Sequence, residues 1–435
     1  MDNRTRKLTG CITVVLQSRQ STTSDLKTEW IELPRQKRKR WLISIIEMNS
    51  NMELNSRVER AQAALCKSGV DALIVSSNVN LFYFTGQVIN GYVYIPQSGS
   101  PLYFVRRPKG MSGEYVNYIR KPEDIPAILA EKGVVAPKKL AFEADFMPFS
   151  EYSRVAACFT GAELVNGSGI IRSLRAVKSE YELSMMRISG EKHDKVYAQI
   201  ASLYRKGMTD VDLMAEIEHA GRKLGSLGIF RIGGSSMEIF GGSILAGENA
   251  DAPSPYDFAL GGAGIHSSLP IGANGTVLEP EQAIMVDMGS NFTGYMTDMS
   301  RVFAVEKITD SLALRAHQVS IDIQNAICEM AKPGVEAKAM YELAYSMVEK
   351  EGLKSYFMGH NQQAGFMGHG VGIEINELPV LAPRSRDILC PGMAFAMEPK
   401  FVIPGIGAVG TENTYIVGED GLERITNFPE EIQII

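Results

Sequence analysis

The chain has 435 residues, of which 45% are hydrophobic and 22% charged, and its formal net charge is −6 at pH 7. This length is too great for one compact core, so we expect two domains. The negative charge gives no general attraction to nucleic acid or to an anionic membrane, so neither is an expected partner. No apolar run approaches the roughly 20 residues of a membrane span. Five scattered cysteines are typical of thiols in a reducing compartment, and we expect a cytoplasmic protein.

The first 52 residues differ from the rest. They are polar, with a basic run at 35–40 followed by a short apolar stretch at 41–46. A signal peptide has the same order, but this apolar stretch is shorter than the roughly 7–15 residues required, and no small-residue cleavage site follows. We therefore expect 1–52 to be an extension that is disordered or not native.

Residues 53–174 alternate short helices and strands, as expected for a small α/β domain. Apolar residues at helical spacing predict a helix at 58–68, with Gly69 as its C-cap. A buried strand is predicted at 70–75, and the segment 80–86 is expected to complete this first helix and strand unit.

Residues 175–435 predict a second, larger domain. Long helices are expected at 181–204, 210–224 and 310–331, and glycine-rich β segments lie between and after them. Because no regular βαβ rhythm is present, this domain is predicted to be α+β rather than doubly wound.

Two aspartates flank a predicted hairpin in this domain. If Phe292 and Thr293 are the central turn residues, Asp287 lies directly opposite Asp298. Cross-strand partners bring their Cβ atoms to roughly 5 Å on one face of the sheet. Two opposed carboxylates repel, so a cation is expected between them, and a divalent metal ion fits this position. The alternative is a pair of exposed hairpin carboxylates.

Two glutamates form a second pair of this kind. A turn centred on Gly405 places Glu398 opposite Glu412. His369 lies between two glycines, and neutral imidazole is a common metal ligand, although such a histidine is more often structural. Four carboxylates and one imidazole together suit a pair of divalent ions such as Mn²⁺, Fe²⁺, Co²⁺ or Zn²⁺.

The order of these motifs resembles the pita-bread metallopeptidase family, which includes methionine aminopeptidase, prolidase, aminopeptidase P and creatinase. The resemblance covers most of 53–435, and the segments 80–86 and 175–183 resemble the N-terminal domain and junction of the prolidase and aminopeptidase P branch. The motifs correspond to the family's paired-aspartate hairpin at 287–301, its histidine turn at 368–370, and its two glutamates at Glu398 and Glu412.

The resemblance implies a pita-bread fold with two divalent ions, manganese first, with cobalt, iron or zinc as alternatives. Asp287 would bind one ion, and Asp298 and Glu412 would bridge both. His369 and Glu398 would complete the shell of one ion. Glu398 would also take a proton from the attacking water and pass it to the leaving amine. The relatives also suggest a homodimer.

Two positions depart from the family's pattern. The peptidases usually carry histidines where this chain has Ile271 and Asn376, and those histidines contact the substrate and stabilise the tetrahedral intermediate and the departing amine. Asn376 can still donate a hydrogen bond to a developing oxyanion, so we predict a catalytic role for it. Ile271 would retain the position of a substrate contact without any donor.

Four loop residues are further candidates for contact with the substrate. His266 lies shortly before Ile271, and His360 lies shortly before the histidine of the ligand set. Both are candidates to contact the substrate and compensate for the missing histidines, but an ordinary loop histidine is the favoured interpretation of each. Asp251 and Asp257 are candidates for the wall of the cleft, with a solvated loop as the alternative.

The resemblance implies an Xaa-Pro peptidase acting on short peptides, since methionine aminopeptidase lacks the N-terminal domain. A second hypothesis is a repurposed pita-bread enzyme, a metal-dependent lyase or hydrolase of another small molecule, because the ligands are intact while the two histidines are replaced. A third is a non-catalytic binding protein, which would have little reason to retain five ligands.

Overall fold

A computed structural model describes the backbone of residues 35–435 and the side chains from residue 51 onward, except at positions 235, 236, 238 and 240. Residues 1–34 of the predicted extension lie outside these residues. The chain forms two compact units that divide between Leu174 and Arg175.

The N-terminal unit contains a six-stranded mixed sheet with strand order β4-β3-β2-β1-β5-β6. Its helices, named in chain order, are α1 (Arg35–Ser68), α2 (Asn78–Thr85), α3 (Ile125–Glu131), α4 (Phe149–Ala156) and α5 (Ser168–Ala176). Its strands are β1 (Ala72–Val75), β2 (Asn90–Pro96), β3 (Leu102–Arg107), β4 (Val116–Tyr118), β5 (Lys139–Phe142) and β6 (Glu163–Asn166).

The helix α1 begins well before the predicted segment 58–68, so the backbone at 35–52 is helical although the sequence places it in the extension. Its end agrees with the prediction, because Gly69 has a φ of 62°, a left-handed conformation that glycine adopts at little cost. Most of the predicted closing segment 80–86 belongs to α2, and Gly86 is the C-cap of this helix.

The C-terminal unit has helices on both sides of a four-stranded sheet, with further β structure on one of these sides. Its helices are α6 (Glu180–Tyr197), α7 (Ile200–Leu203), α8 (Asp210–Lys223), α9 (Ser311–Met330) and α10 (Ala337–Lys350). Its strands are β7 (Gly242–Ala246), β8 (Ile284–Asn291), β9 (Met296–Ala304), β10 (Gly368–Gly370), β11 (Glu377–Leu381), β12 (Ala394–Met397), β13 (Lys400–Ile403), β14 (Gly407–Gly410), β15 (Asn413–Val417), β16 (Leu422–Arg424) and β17 (Gln433–Ile434).

Three sheets build this unit, with strand orders β17-β9-β8-β7, β11-β10-β12-β15-β16 and β13-β14. Neighbouring residues of β8 pack into different clusters: Val286 packs with α6 and α8, whereas Met285 packs with α9 and α10. This alternation is what a strand buried on both faces requires. The predicted α+β class is confirmed for this unit.

Two helix predictions need correction. The segment 181–204 forms two helices, α6 and α7, because the apolar spacing of Val196, Tyr197 and Ile200 continues across the break and does not reveal it. The helix α10 was not predicted, although Met340, Ala344 and Val348 are spaced four residues apart and pack in the core.

Candidate metal centre

The two aspartates of the predicted ligand set lie on the β8–β9 hairpin. Val286, Met288 and Met299 pack against residues of α6 and α8. Because side chains alternate along a strand, Asp287 and Asp298 point to the opposite face of the sheet.

The register of this hairpin differs from the predicted one by two residues. Asp287 pairs with Ser300, and Asp298 pairs with Gly289. The turn is displaced by one residue, because the last pair is Asn291 with Met296 and the Asn291 side chain accepts a hydrogen bond from the N–H of Gly294 at 3.0 Å. The prediction that the aspartates lie directly opposite is therefore wrong. They are diagonal neighbours, and a two-residue shift leaves both on one face.

The two glutamates lie where the chain passes between strands. The register of the pairs on either side, β12 with β15 and β13 with β14, places Glu398 opposite Glu412, as predicted. The backbone N–H of Glu412 donates to the carbonyl of Ser300 at 3.2 Å. This bond joins the glutamate pair to the aspartate hairpin.

His369 lies on β10, between β11 and β12. A Cβ atom at Gly370 would lie 2.2 Å from the carbonyl oxygen of Leu378, so the neighbouring strand, rather than a ligand, requires that glycine. The imidazole Nε2 is 3.4 Å from Oε1 of Glu398 and 3.9 Å from Oδ2 of Asp298. The histidine therefore joins the carboxylates.

All five predicted ligands converge. They form two groups, Asp298 with His369 and Glu412, and Asp287 with Glu398 and Glu412, in each of which one ligand atom per residue lies within 4.8 Å of the others. The Oε1 atoms of both glutamates are buried and have no hydrogen-bond partner among the described residues. A buried carboxylate oxygen without a partner is costly, so this geometry suits a bound cation.

Lys400, which the sequence motifs did not indicate, lies among the same carboxylates. Its side chain is fully buried, and its Nζ donates to Oδ2 of Asp287 and Oε2 of Glu398, each at 2.7 Å. A third bond reaches Oε2 of Glu412 at 3.0 Å, which uses all three N–H donors of the ammonium. The spacing in the sequence could have indicated this position, because Lys400 follows Glu398 by two residues and such residues share one face of a strand. Lys400 also pairs with Gly410, which has no side chain.

Burial and repulsion raise the pKa of two of the acids. Burial and then the charge of Asp287 raise the pKa of Asp298 to about 7. Burial and then the charge of Asp298 raise the pKa of Glu412 well above its usual value. In both acids, burial and neighbouring carboxylates disfavour the charged form, and a bound cation would offset this cost.

The neighbouring groups shift in the opposite direction. Burial opposes the charge of Glu398, but Lys400 and His369 stabilise it and lower its pKa to about 2. Burial also opposes the charged form of His369, but the contact with Glu398 raises the pKa of the imidazole to about 9. The pKa of Lys400 lies well above its usual value because three carboxylates outweigh the cost of burial.

The ligands lie at one side of a cavity of about 430 Å³. Asp287, Asp298, His369 and Glu398 line it, whereas Lys400 and Glu412 lie beneath its surface. The remaining wall is largely apolar and includes Phe230, Ile232, Met237, Phe258, Leu260 and Phe366. The cavity therefore combines an acidic end with an apolar wall.

Asn376 also lines this cavity, but the structure gives its amide a partner that the sequence did not indicate. Its Oδ1 accepts from the N–H of Gly233 at 2.7 Å, and its Nδ2 donates to the Gly233 carbonyl at 2.6 Å. The amide thereby pairs with Gly233 as the backbone of a neighbouring strand would, and it fixes the part of the cavity wall at Gly233. One Nδ2 hydrogen remains for a substrate.

The other predicted substrate contacts are not brought to this cavity. Ile271 is only 1% exposed and packs in the interior. His266 lies in an exposed turn, where its Nδ1 is 2.8 Å from the Ser268 hydroxyl. The His360 Nδ1 is 2.9 Å from Oδ2 of Asp251, and both line a smaller neighbouring cavity. In each case tertiary contacts, which sequence spacing does not show, determine the position.

Asp257, in contrast, lies in the wall of the ligand cavity and in the wall of the smaller one. The segment from Asp257 to Leu260 therefore separates His360 from the ligands. Asp257 is exposed, which agrees with a position at the rim. The hypothesis that Asp257 lines the substrate cleft agrees with this position.

The two ligand groups differ in how well they fit a divalent ion. Asp298, His369 and Glu412 combine carboxylate and imidazole donors of the kind that Mn²⁺, Fe²⁺, Co²⁺ and Zn²⁺ accept. In the other group, the Lys400 ammonium already bonds to every carboxylate. A divalent ion fits the first group, whereas an ion in the second group would have to share its carboxylates with the lysine.

Carboxylates and an imidazole at the end of a cavity in a pita-bread fold define a metallopeptidase. The model of metallopeptidase family M24 matches residues 184–419, and that of the creatinase/prolidase N-terminal domain matches residues 57–177. The chain belongs to metallopeptidase family M24. Among the described residues, no helix has the length and apolar character needed to cross a membrane.

Relatives of known sequence and structure match along nearly their whole length. "Uncharacterized peptidase YqhT" of Bacillus subtilis is 27% identical over 390 residues, 87% of this chain and 100% of its own. The Xaa-Pro dipeptidase of Pyrococcus horikoshii is 24% identical over 383 residues, 87% of this chain and 99% of its own. The structure of an Xaa-Pro dipeptidase from Bacillus anthracis has a TM-score of 0.73 at 25% identity, covering 88% of this chain and 100% of its own.

Proposed function

We propose that this chain is a metal-dependent hydrolase of short peptides that cleaves at an Xaa-Pro bond, with manganese as the first candidate metal. The observation that carries this proposal is the pair of buried Oε1 atoms of Glu398 and Glu412, which have no hydrogen bond among the described residues, close to His369 and to one end of a largely apolar cavity. The Xaa-Pro dipeptidases among its relatives support the choice of substrate.

In this proposal, Asp298, His369 and Glu412 would hold a divalent ion, and Oε1 of Glu398 is 3.4 Å from Nε2 of the imidazole. Such an ion supplies Lewis acidity toward a carbonyl oxygen and a water molecule. A second ion, expected from the sequence, would have to share its carboxylates with Lys400.

Glu398 is placed to move the proton. Lys400 holds its Oε2 at 2.7 Å, which orients the carboxylate and leaves Oε1 free to accept. Oε1 of Glu398 takes a proton from the attacking water and returns it to the leaving amine.

The residues that line the cavity suit the amino end of a peptide better than its carboxyl end. Among the described residues that line it, none is a lysine or arginine, so the carboxylate of a dipeptide has no cationic partner there. The exposed acid Asp257 at the rim suits a peptide's α-ammonium group. We therefore favour an aminopeptidase that acts on Xaa-Pro peptides of three or more residues over a strict dipeptidase.

The direct test is an assay of the purified chain, reconstituted with Mn²⁺, against Xaa-Pro dipeptides, Xaa-Pro tripeptides and matched Xaa-Ala peptides. We expect metal-dependent release of the first residue from the tripeptides. Glu398→Gln should abolish it, while Glu329→Gln, on the exposed surface of α9, should not. Bound metal without cleavage of any peptide would contradict the proposal.

A second candidate is a metal-dependent lyase or hydrolase of a non-peptide molecule. The buried position of Ile271 favours it, because this residue supplies no donor where the peptidases carry a histidine, and the pairing of Asn376 with Gly233 leaves that amide one N–H for a substrate. Bound metal together with turnover of a small amide or ester, but not of peptides, would select this function.

A homodimer remains our expectation from the resemblance, and a cytoplasmic location remains our expectation from the cysteine pattern. Light scattering on the purified protein tests the dimer, and cell fractionation tests the compartment.

A further inference from the structure

We propose that the Lys400 ammonium takes the position of a second metal ion, so that this centre binds one divalent ion per chain rather than two. The inference rests on the proposed metal site and concerns its stoichiometry. It makes Lys400 a built-in cation of the centre.

The three acceptors of Nζ support this position. Asp287, Glu398 and Glu412 form one of the two groups whose ligand atoms lie close enough to hold an ion, and the same three carboxylates accept the three N–H bonds of Lys400. The ammonium therefore lies at the point where a second ion would have to bind.

The two glutamates show how the centre is divided. In both, Oε2 accepts from Lys400, while Oε1 is buried and has no partner among the described residues. The free Oε1 of Glu398 is on the side of His369, at 3.4 Å from Nε2. Each glutamate thus gives one oxygen to the ammonium and keeps the other available, and the free oxygen of Glu398 faces the histidine side, where a single ion would bind.

The charges agree with this division. One divalent ion and the ammonium bring three positive charges to four carboxylates, whereas two ions and the ammonium would bring five. Cations that share the same carboxylates repel each other strongly at such separations in a buried site. Lys400 is fully buried, so its displacement by an ion would also leave an ammonium group without its three acceptors.

The test is the number of ions bound per chain. The full-length protein is loaded with excess Mn²⁺ and dialysed, and its metal content is measured by plasma mass spectrometry. We expect one ion in the wild type and two in Lys400→Met, which removes the ammonium and frees three carboxylates. The matched control is Lys178→Met, a buried lysine that pairs with Glu377 outside the ligand set, and it should bind one.

Two ions in the wild type, or one in a folded Lys400→Met, would overturn this inference. If that variant does not fold, anomalous diffraction at the manganese edge from wild-type crystals decides: one peak beside His369 supports the inference, and a second peak among Asp287, Glu398 and Glu412 overturns it. Two ions with peptide cleavage would leave the proposed function intact. No bound ion would overturn both.

Discussion

Two buried ionic clusters border the same cavity, and their charges are balanced differently. In one, Arg175 bonds to Glu374 at 2.6 Å and also to Glu377, while Lys178 bonds to Glu377 at 3.1 Å. Two cations thus meet two acids. Glu377 lines the cavity, yet its carboxylate is already fully engaged by cations.

The ligand cluster is unbalanced. Lys400 is the cation that bonds to Asp287, Glu398 and Glu412, and Asp298 brings a fourth carboxylate. The carboxyl pKa values in the ligand cluster diverge, with Asp298 raised to about 7 and Glu398 lowered to about 2, whereas Glu377 of the balanced cluster is lowered to about 2. A cluster whose positive and negative charges balance stabilises the fold, whereas a cluster with excess carboxylates is suited to bind a further cation.

The largest expected effect is on activity. Asp298→Asn removes a carboxylate of the only ligand group that Lys400 does not occupy, among the described residues. We expect a loss of bound Mn²⁺ and a fall in kcat/KM on the order of 10³-fold, since a metal contributes several kcal/mol to the transition state. Asp322→Asn, on the exposed surface of α9, is the matched control. Full metal content and activity in Asp298→Asn would remove this residue from the centre.

The balanced cluster should matter for stability rather than metal binding. Arg175→Met leaves Glu374 without its bonded cation, and removing one partner of a buried pair costs about 3–5 kcal/mol. We expect urea unfolding to show this loss equally in the presence and absence of Mn²⁺. A loss that Mn²⁺ reverses would place Arg175 in the metal centre.

The pH dependence of stability should also distinguish the clusters. Burial opposes the charge of Glu377, but Arg175 and Lys178 lower its pKa from 4.5 to about 2. Because the folded value is the lower one, the stabilisation is complete above the unfolded pKa and is lost as the pH falls through the folded pKa. It amounts to about 3 kcal/mol.

The measurement is urea unfolding of the metal-free protein as the pH is lowered. The excess stability of the wild type over Glu377→Gln should fall by that amount between the unfolded and folded pKa values of this carboxyl. An excess that grows toward low pH would show that Glu377 is protonated in the folded protein.

The smallest expected effect concerns the part of the cavity wall at Gly233. Asn376→Ala removes both hydrogen bonds to Gly233, which are worth about 1–2 kcal/mol together, so we expect KM to rise roughly tenfold with little change in kcat. Asn361→Ala, which bonds to Asp251 outside the ligand cavity, is the control. A fall in kcat of about 10²–10³-fold instead would identify Asn376 as the oxyanion donor that the sequence suggested.

The candidate site was predictable where local pattern determines position. Glu398 and Glu412 face each other as expected, because the turn signal at Gly405 sets the register of the strands on both sides. The aspartate hairpin was displaced, because the hydrogen bond from Gly294 to Asn291 moves the turn by one residue. Asp287 and Asp298 nevertheless lie on one face of the sheet, since side chains repeat every two residues along a strand.

By itself, the sequence determined the α+β class, the family resemblance and the identity of five candidate ligands, because these depend on residue types, order and strand periodicity. Only the tertiary structure decided that Lys400 enters the ligand cluster, that Asn376 pairs with Gly233, and that Ile271 is buried. These features depend on contacts between segments distant in the chain, and an ammonium or an amide takes its role from the partners that the fold brings to it.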